Sequence, residues 1–336
     1  PAQYQVIGIQ AMCLSQLIMV LKITDKKFMI KAVHLAKKHD NMEENVIICD
    51  HLTHYYGNRR IYSDLSFTVK KGTITGLLGK NGTGKTTTIN ILMGYLKPTS
   101  GCCTVFGEDA SEISPGTRAR IALLLEGHVQ YSFMTISQIE KFYSAFYPKW
   151  NRDAYYELMS RLKVAPGQRI SNMSNGQKSQ VALGLILAQN ADLLVLDDFS
   201  LGLDPGYRRL FIEYLRDYAK SEGKTVFMTS HIIQDIEKLV DDCIIMDYGK
   251  ILFHDKIGVL TGNLVKYTYM NGGDTKMPSG DQILNPSEFR GKTEFYSFAP
   301  ENEIRSKMKA DGIETESLKS EKMNLEDAFI GLTGKY

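Results

Sequence analysis

The run Gly79-Lys80-Asn81-Gly82-Thr83-Gly84-Lys85-Thr86 constrains this chain more than any other stretch of it. It fits the pattern G-x-x-x-x-G-K followed by Ser or Thr, in which glycines let successive backbone N–H groups wrap an anion. An apolar run at 73–78 precedes it and a helix-forming stretch at 86–96 follows, so the positive end of a helix points at the same anion. On this pattern the loop and Thr87 cradle a β-phosphate, Lys85 reaches the β- and γ-phosphates, and the Thr86 hydroxyl ligates Mg²⁺. A glycine turn that only caps a helix accounts for the glycines but not for Lys85 and Thr86 together.

A strand end supplies a carboxylate. Leu193-Leu194-Val195-Leu196-Asp197-Asp198 places Asp197 just past a buried apolar run, where it can hold Mg²⁺ through water. Alone, such an aspartate is an ordinary strand terminus; paired with the loop upstream it becomes specific. A further apolar run at 225–229 ends at polar residues and His231. From about 45 to 257 strand, loop and helix alternate, which implies a largely parallel sheet with active groups at the strands' C-terminal ends. Segments 136–146 and 153–162 are helical by apolar spacing, as at Tyr156, Met159 and Leu162, and belong to a helical insertion over about 127–190.

After Lys256 the pattern changes. Strand-like 265–269 and 294–298 are separated by turn-rich Asn271-Gly272-Gly273 and Pro278-Ser279-Gly280. Asn324 reads as an N-cap, with Asp327 three residues on, for a final helix bearing Leu325, Phe329 and Leu332. Residues 258–336 therefore read as a small α+β accessory unit. Residues 1–41 read either as an extension outside the functional unit or as a helix packed on the body, with Met42-Glu43-Glu44 standing directly before the first strand.

Composition excludes some classes. A net charge of +2 over 336 residues offers no basic excess for a phosphate backbone, so no nucleic-acid partner is expected. The five cysteines form no C-x-x-C pair and read as small buried thiols. The most apolar candidate span, 6–23, is interrupted by Gln10, Ser15 and Gln16, against the roughly 20 mostly apolar residues a membrane helix needs. The chain thus reads as soluble, reaching a membrane only through a partner.

A third motif narrows the field. Met173-Ser174-Asn175-Gly176-Gln177 resembles the L-S-G-G-Q signature of ABC ATPases, and Asp197 lies 20 residues past Gln177, the family's usual spacing. Other family elements follow in order: an aromatic at Tyr56, a Q-loop position at Glu126, a D-loop at Gly202-Leu203-Asp204 and a switch histidine at His231. The resemblance covers about 46–257 and implies an α/β fold, a RecA-like P-loop NTPase core of ABC type with an inserted helical subdomain and a small α+β C-terminal appendage. The nearest likeness is to ATP-binding subunits of ABC-2-type exporters, which often carry glutamate at the Q-loop. Phe146-Tyr147-Pro148-Lys149-Trp150 resembles the F-Y-P-x-W segment of a bacterial subgroup whose genes neighbour small transcriptional regulators, and Asn324-Leu325-Glu326-Asp327-Ala328-Phe329 resembles the S-L-E-D-x-F ending of the exporter class.

The resemblance implies roles. Tyr56 stacks on adenine, with Tyr55 next door as the rival; Ser174, Asn175, Gly176 and Gln177 close over ATP held by a second subunit; Asp204 joins the nucleotide site. His231 senses the γ-phosphate, and Glu126 touches Mg²⁺ and the attacking water. ATP and Mg²⁺ are the implied cofactors. The implied partners are a second ATP-binding subunit, identical or not, and a transmembrane permease, with the complex on the inner face of the cell membrane. Aromatics from Tyr131 to Trp150 read as subdomain core, with some lining a groove for that permease. Three positions depart from the family: Asp198 replaces the glutamate that activates water, Phe199 replaces a proline, and Asn175 replaces glycine or lysine. Asp198 is shorter than glutamate by one methylene, about 1.5 Å of reach, so slower hydrolysis is expected. A nonhydrolysing ATP-gated clamp and a degenerate site within a heterodimer are the alternatives.

Overall fold

The computed structural model describes residues 44–125, 131–199, 203–271 and 277–334. Glu126, Gly202 and the N-terminal stretch through residue 43 lie outside the described residues.

The strands are β1 (Asn45–Tyr56), β2 (Arg59–Lys70), β3 (Ile74–Gly79), β4 (Ser100–Val105), β5 (Glu108–Asp109), β6 (Ile121–Leu124), β7 (Leu193–Leu196), β8 (Thr225–Thr229), β9 (Asp242–Asp247), β10 (Lys250–Lys256), β11 (Val265–Met270), β12 (Leu284–Phe289), β13 (Lys292–Ser297) and β14 (Lys319–Lys322). The helices are α1 (Lys85–Leu92), α2 (Pro115–Arg118), α3 (Ile136–Ser144), α4 (Arg152–Arg161), α5 (Asn175–Ala188), α6 (Pro205–Ser221), α7 (Ile233–Leu239), α8 (Ile257–Asn263), α9 (Glu301–Ala310) and α10 (Leu325–Thr333).

The central sheet runs β10-β9-β3-β8-β7-β6, parallel except for the antiparallel edge strand β10. Its strands β6 and β7 are apolar throughout because both faces are covered, whereas the edge strand β10 carries Lys250, His254, Asp255 and Lys256. Leu194 and Leu196 of β7 point into one core with Ile74, Leu78, Val226 and Met228. Leu193 and Val195 point into the other with Leu77, Phe227, Ile244 and Met246. All four β7 side chains are at most 1% exposed, and each contributes roughly 1.5–3 kcal/mol by burial. The second face is closed by α1 and by an antiparallel sheet, β2-β1-β4-β5.

Strand order decides what meets at the C-terminal edge. Because β8 lies between β3 and β7, the loop after β3, the aspartates after β7 and the histidine after β8 become neighbours.

The insertion packs α3, α4 and α5 on the first core through Ile136, Ile139, Tyr155, Leu158 and Met159. Thr135 and Gln138 form a reciprocal capping box that starts α3. Beyond Lys256, β12-β13-β11-β14 and α9 enclose a separate small core around Tyr267, Phe295, Ile304 and Met308. Helix α10 instead joins the main core, with Leu325 and Ala328 fully buried.

Two expectations need correction. Helix α1 ends at Leu92 rather than at 96, because Gly94 turns to a φ of 69° and a Cβ there would stand 2.3 Å from the Ala110 carbonyl oxygen. The thiols are not all buried: Cys49, Cys103 and Cys243 are, whereas Cys102, on the alternate face of β4, is exposed. Burial pushes the Cys243 thiol up to about 12.

Candidate functional site

The loop between β3 and α1 is shaped by contacts that exclude side chains. A Cβ on Gly79 would lie 2.6 Å from Thr83 Oγ1, and one on Gly84 would strike the Tyr62 ring at 2.8 Å. Gly82 and Gly84 take φ values of 78° and 105°, open to glycine without strain. Lys85 folds back along the loop, its Nζ donating to the Gly79 carbonyl at 2.7 Å and the Lys80 carbonyl at 3.2 Å. Burial lowers the Lys85 pKa, and the Asp198 and Asp197 carboxylates oppose that shift. Thr86 is exposed at the start of α1, Asn81 is exposed on the loop, and Thr87 is buried behind it.

At the ends of β7 and β8 the side chains clasp one another. Thr229 Oγ1 donates to Asp197 Oδ1 at 2.6 Å and accepts the Asp198 backbone N–H at 3.0 Å. Both oxygens of Asp198 face His231, one accepting its backbone N–H at 2.9 Å and the other lying 2.5 Å from Nε2. Asp198 takes a φ of 48°, a left-handed conformation that aspartate tolerates better than most residues. It is buried, whereas the His231 side chain is 39% exposed.

The β1–β2 hairpin lies over the loop. His54 stands opposite Tyr62 in register, and Tyr62 is the ring that closes on Gly84. Tyr56 meets His54 edge-on at 4.9 Å and is half exposed, so it stands on the loop side of the hairpin. Tyr55 has the opposite strand parity. Arg59, paired with Tyr56, brings Nη2 to 3.3 Å from where a Gly82 Cβ would be.

The sequence Ser174-Asn175-Gly176-Gln177 opens α5. Ser174 Oγ accepts the Gln177 N–H at 3.2 Å and Gln177 Oε1 accepts the Ser174 N–H at 3.0 Å, a capping box that explains the spacing of serine and glutamine. Ser174 and Asn175 are exposed, leaving the helix's N-terminal dipole open to an anion. Gly176 is required by packing, since a Cβ would stand 2.6 Å from the Tyr207 ring. Asp204 is the exposed N-cap of α6.

A family pattern described as ABC transporter matches residues 62–200. The Nod factor export ATP-binding protein I of Rhizobium meliloti is 30% identical over 301 residues, covering 84% of this chain and 87% of that protein. The chain belongs to the ABC transporter ATP-binding family. The bacitracin transport ATP-binding protein BcrA of Bacillus licheniformis is 33% identical over 204 residues, 60% of this chain and 66% of its own. A solved ATP-binding subunit of an ABC transporter shares the fold with a TM-score of 0.58 at 22% identity, covering 65% of this chain and 92% of that one.

Within this ABC fold the structure brings together Lys85, Asp197, Asp198 and His231. Glu126 lies outside the described residues. Thr229, Arg59 and Tyr207 were missed from sequence. The only available signal for Thr229 was a hydroxyl at the end of a buried strand. Thr86 and Asp197 offer the hard oxygen donors that suit Mg²⁺, which keeps waters and phosphate oxygens in its shell. Among the described residues no group of three or more His, Cys, Asp or Glu side chains is placed to hold a metal.

Proposed function

We propose that this chain is the ATP-binding and ATP-hydrolysing subunit of an exporter, pairing with a second ATP-binding subunit and driving a separate transmembrane permease. The observation that carries this reading is the convergence at the edge of β3, β8 and β7 of the phosphate loop, the Thr229–Asp197 pair and the Asp198–His231 pair. ATP sits on the loop with adenine against Tyr56, and Mg²⁺ is held by Thr86 and, through water, Asp197. The capped N-terminus of α5 spends its polar side chains on itself and offers backbone N–H groups outward, which suits an anion presented by the second subunit.

Export is supported by the relatives named for Nod factor export and bacitracin transport. No helix among the described residues is long and apolar enough to cross a membrane. A groove of about 690 Å³ between the turn after α1, α2, β6 and the helical insertion, lined by Tyr95, Leu125, Tyr143, Phe146 and Tyr147, suits the permease. Tyr95 and Phe146 are more than 60% exposed there, as aromatic anchors of an interface are before docking. The complex works on the cytoplasmic face of the cell membrane.

Asp198 makes turnover slower than in a glutamate enzyme. A second reading, an ATP-gated clamp that does not turn over, is favoured by one observation: both carboxylate oxygens of Asp198 already face His231. Steady-state ATPase of the chain alone and assembled with its membrane partner separates the two. Binding without appreciable hydrolysis alone, then stimulated hydrolysis on assembly, supports the subunit reading. Tight ATP binding with no turnover in the assembled complex supports the clamp.

A further inference from the structure

Lys80 follows Gly79 in the phosphate loop, and its backbone carbonyl is the loop's internal hub. It accepts Thr83 Oγ1 at 2.8 Å, Lys85 Nζ at 3.2 Å and the Thr83 N–H at 3.3 Å. The side chain goes elsewhere. Lys80 is 8% exposed, and Nζ donates to the carbonyl oxygen of Thr333, 253 residues away, at 2.7 Å.

Thr333 is the last residue of α10. A helix C-terminus leaves its final carbonyls without helical partners and carries partial negative charge, so an ammonium is favourable there. The two preceding carbonyls are also engaged: Asn285 Nδ2 donates to Gly331 at 2.7 Å and to Leu332 at 3.0 Å. At the other end of α10 the Leu325 N–H donates to Glu237 Oε1 at 3.0 Å, and Gln234 Nε2 donates to Glu326 Oε2 at 3.3 Å. Glu237 and Gln234 belong to α7, which begins just past His231. Between these ends the helix has little freedom. Leu325 and Ala328 are fully buried, and a Cβ on Gly331 would stand 2.6 Å from the Tyr296 ring. Helix α10 is therefore a strut, one end on the phosphate loop and the other on the helix that follows the switch histidine.

We propose that Lys80 is a positioning residue through which α10 holds the phosphate loop in its nucleotide-binding shape. The inference rests on the reading of residues 79–86 as an ATP site. Fixing the Lys80 side chain at Thr333 fixes the backbone carbonyl that organises Thr83 and Lys85. Coupling of this kind is reciprocal: the helix end tightens ATP binding, and ATP steadies the helix end to the same degree.

The test uses the full chain with mant-ATP titration, steady-state ATPase, and hydrogen exchange at the Gly334 amide, which donates to the Ile330 carbonyl at 2.8 Å. Lys80→Met keeps the apolar stem and removes the donor. It is expected to weaken mant-ATP binding by on the order of tenfold, and the ATP concentration for half-maximal ATPase rises in proportion. Lys80→Arg restores most of the affinity. ATP slows exchange at Gly334 in the wild type and not in Lys80→Met.

Lys80→Met binding mant-ATP like the wild type, or ATP leaving Gly334 exchange unchanged in the wild type, overturns the proposal. If Lys80→Met does not fold, Asn285→Ala takes its place, because it loosens the helix end without touching the loop. Weaker mant-ATP binding by that variant supports the coupling, and unchanged binding refutes it. A wild-type chain that fails to bind mant-ATP at all removes the ATP reading itself, a different failure from an insensitive Lys80.

Discussion

Asp198 holds His231 twice within one subunit, through the backbone N–H at 2.9 Å and through Nε2 at 2.5 Å. In the proposed function, this turns the carboxylate assigned to water activation toward the residue assigned to γ-phosphate sensing. A general base typically contributes about 10²–10⁴-fold, and only within hydrogen-bond reach of the proton it takes. Asp198→Asn is therefore expected to lower kcat in the assembled complex by roughly 10²-fold or more. Asp198→Glu extends the carboxylate past His231 and is expected to raise kcat. The left-handed φ of 48° suits aspartate better than glutamate, so a stability loss of up to about 1 kcal/mol accompanies the gain. Single-turnover ATPase and thermal unfolding read the two effects separately. A glutamate variant that is no faster removes side-chain length as the reason for slow turnover.

Thr229 is the hinge of the same cluster. Its hydroxyl donates to Asp197 and accepts the Asp198 N–H, with no exposed surface of its own. Thr229→Val keeps the shape and orphans a buried donor, which costs about 1–3 kcal/mol. The Mg²⁺ concentration for half-maximal ATPase is expected to rise, because Asp197 loses the bond that orients it. Thr229→Ser is expected to behave like the wild type in both Mg²⁺ titration and thermal unfolding.

These partners also mark how far the sequence could be read. The loop was legible because its function depends on contiguous residues: Gly79, Gly82 and Gly84 carry the turn, and Lys85 and Thr86 follow at fixed offsets. The α5 start was legible for the same reason, since a capping box joins positions three apart. The order of the central sheet was not legible. Runs 193–196 and 225–229 both read as buried strands, but nothing local says that β8 lies between β3 and β7 and so brings Thr229 under Asp197. Lys80 read as one more loop residue, because its partner, Thr333, is 253 positions away. The end of α1 is not legible because what excludes a side chain at Gly94 is the Ala110 carbonyl, which belongs to chain that comes later.

Tyr55 and Tyr56 are both exposed, and sequence alone left them as rivals. Tyr56 alone meets His54, whose register partner Tyr62 packs on the phosphate loop. Stacking on a base is worth about 1–3 kcal/mol, so Tyr56→Ala is expected to weaken mant-ATP binding by roughly 5- to 150-fold. Tyr55→Ala is expected to leave it within about twofold. GTP binding should suffer equally from Tyr56→Ala, since a π-face does not distinguish purines by hydrogen bonding. Equal losses from the two alanine variants would assign the platform to the hairpin rather than to Tyr56.

Gly176 tests whether α5 acts on a neighbouring subunit or within its own. A methyl group there meets the Tyr207 ring at 2.6 Å, and Gln180 on the same helix donates to the Tyr207 carbonyl at 2.9 Å. Gly176→Ala must push α5 away from α6, at about 1–3 kcal/mol of stability. Tyr207→Leu in the same chain removes the clash and is expected to recover most of that loss. The phosphate loop belongs to another part of the sheet edge, so mant-ATP binding by the monomer is expected to stay unchanged in Gly176→Ala. ATP-driven dimerisation, read by sedimentation, is expected to fail if, as proposed, the helix start meets the γ-phosphate held by a second subunit. Loss of monomer binding together with dimerisation would place α5 in the subunit's own site and break the two-subunit reading.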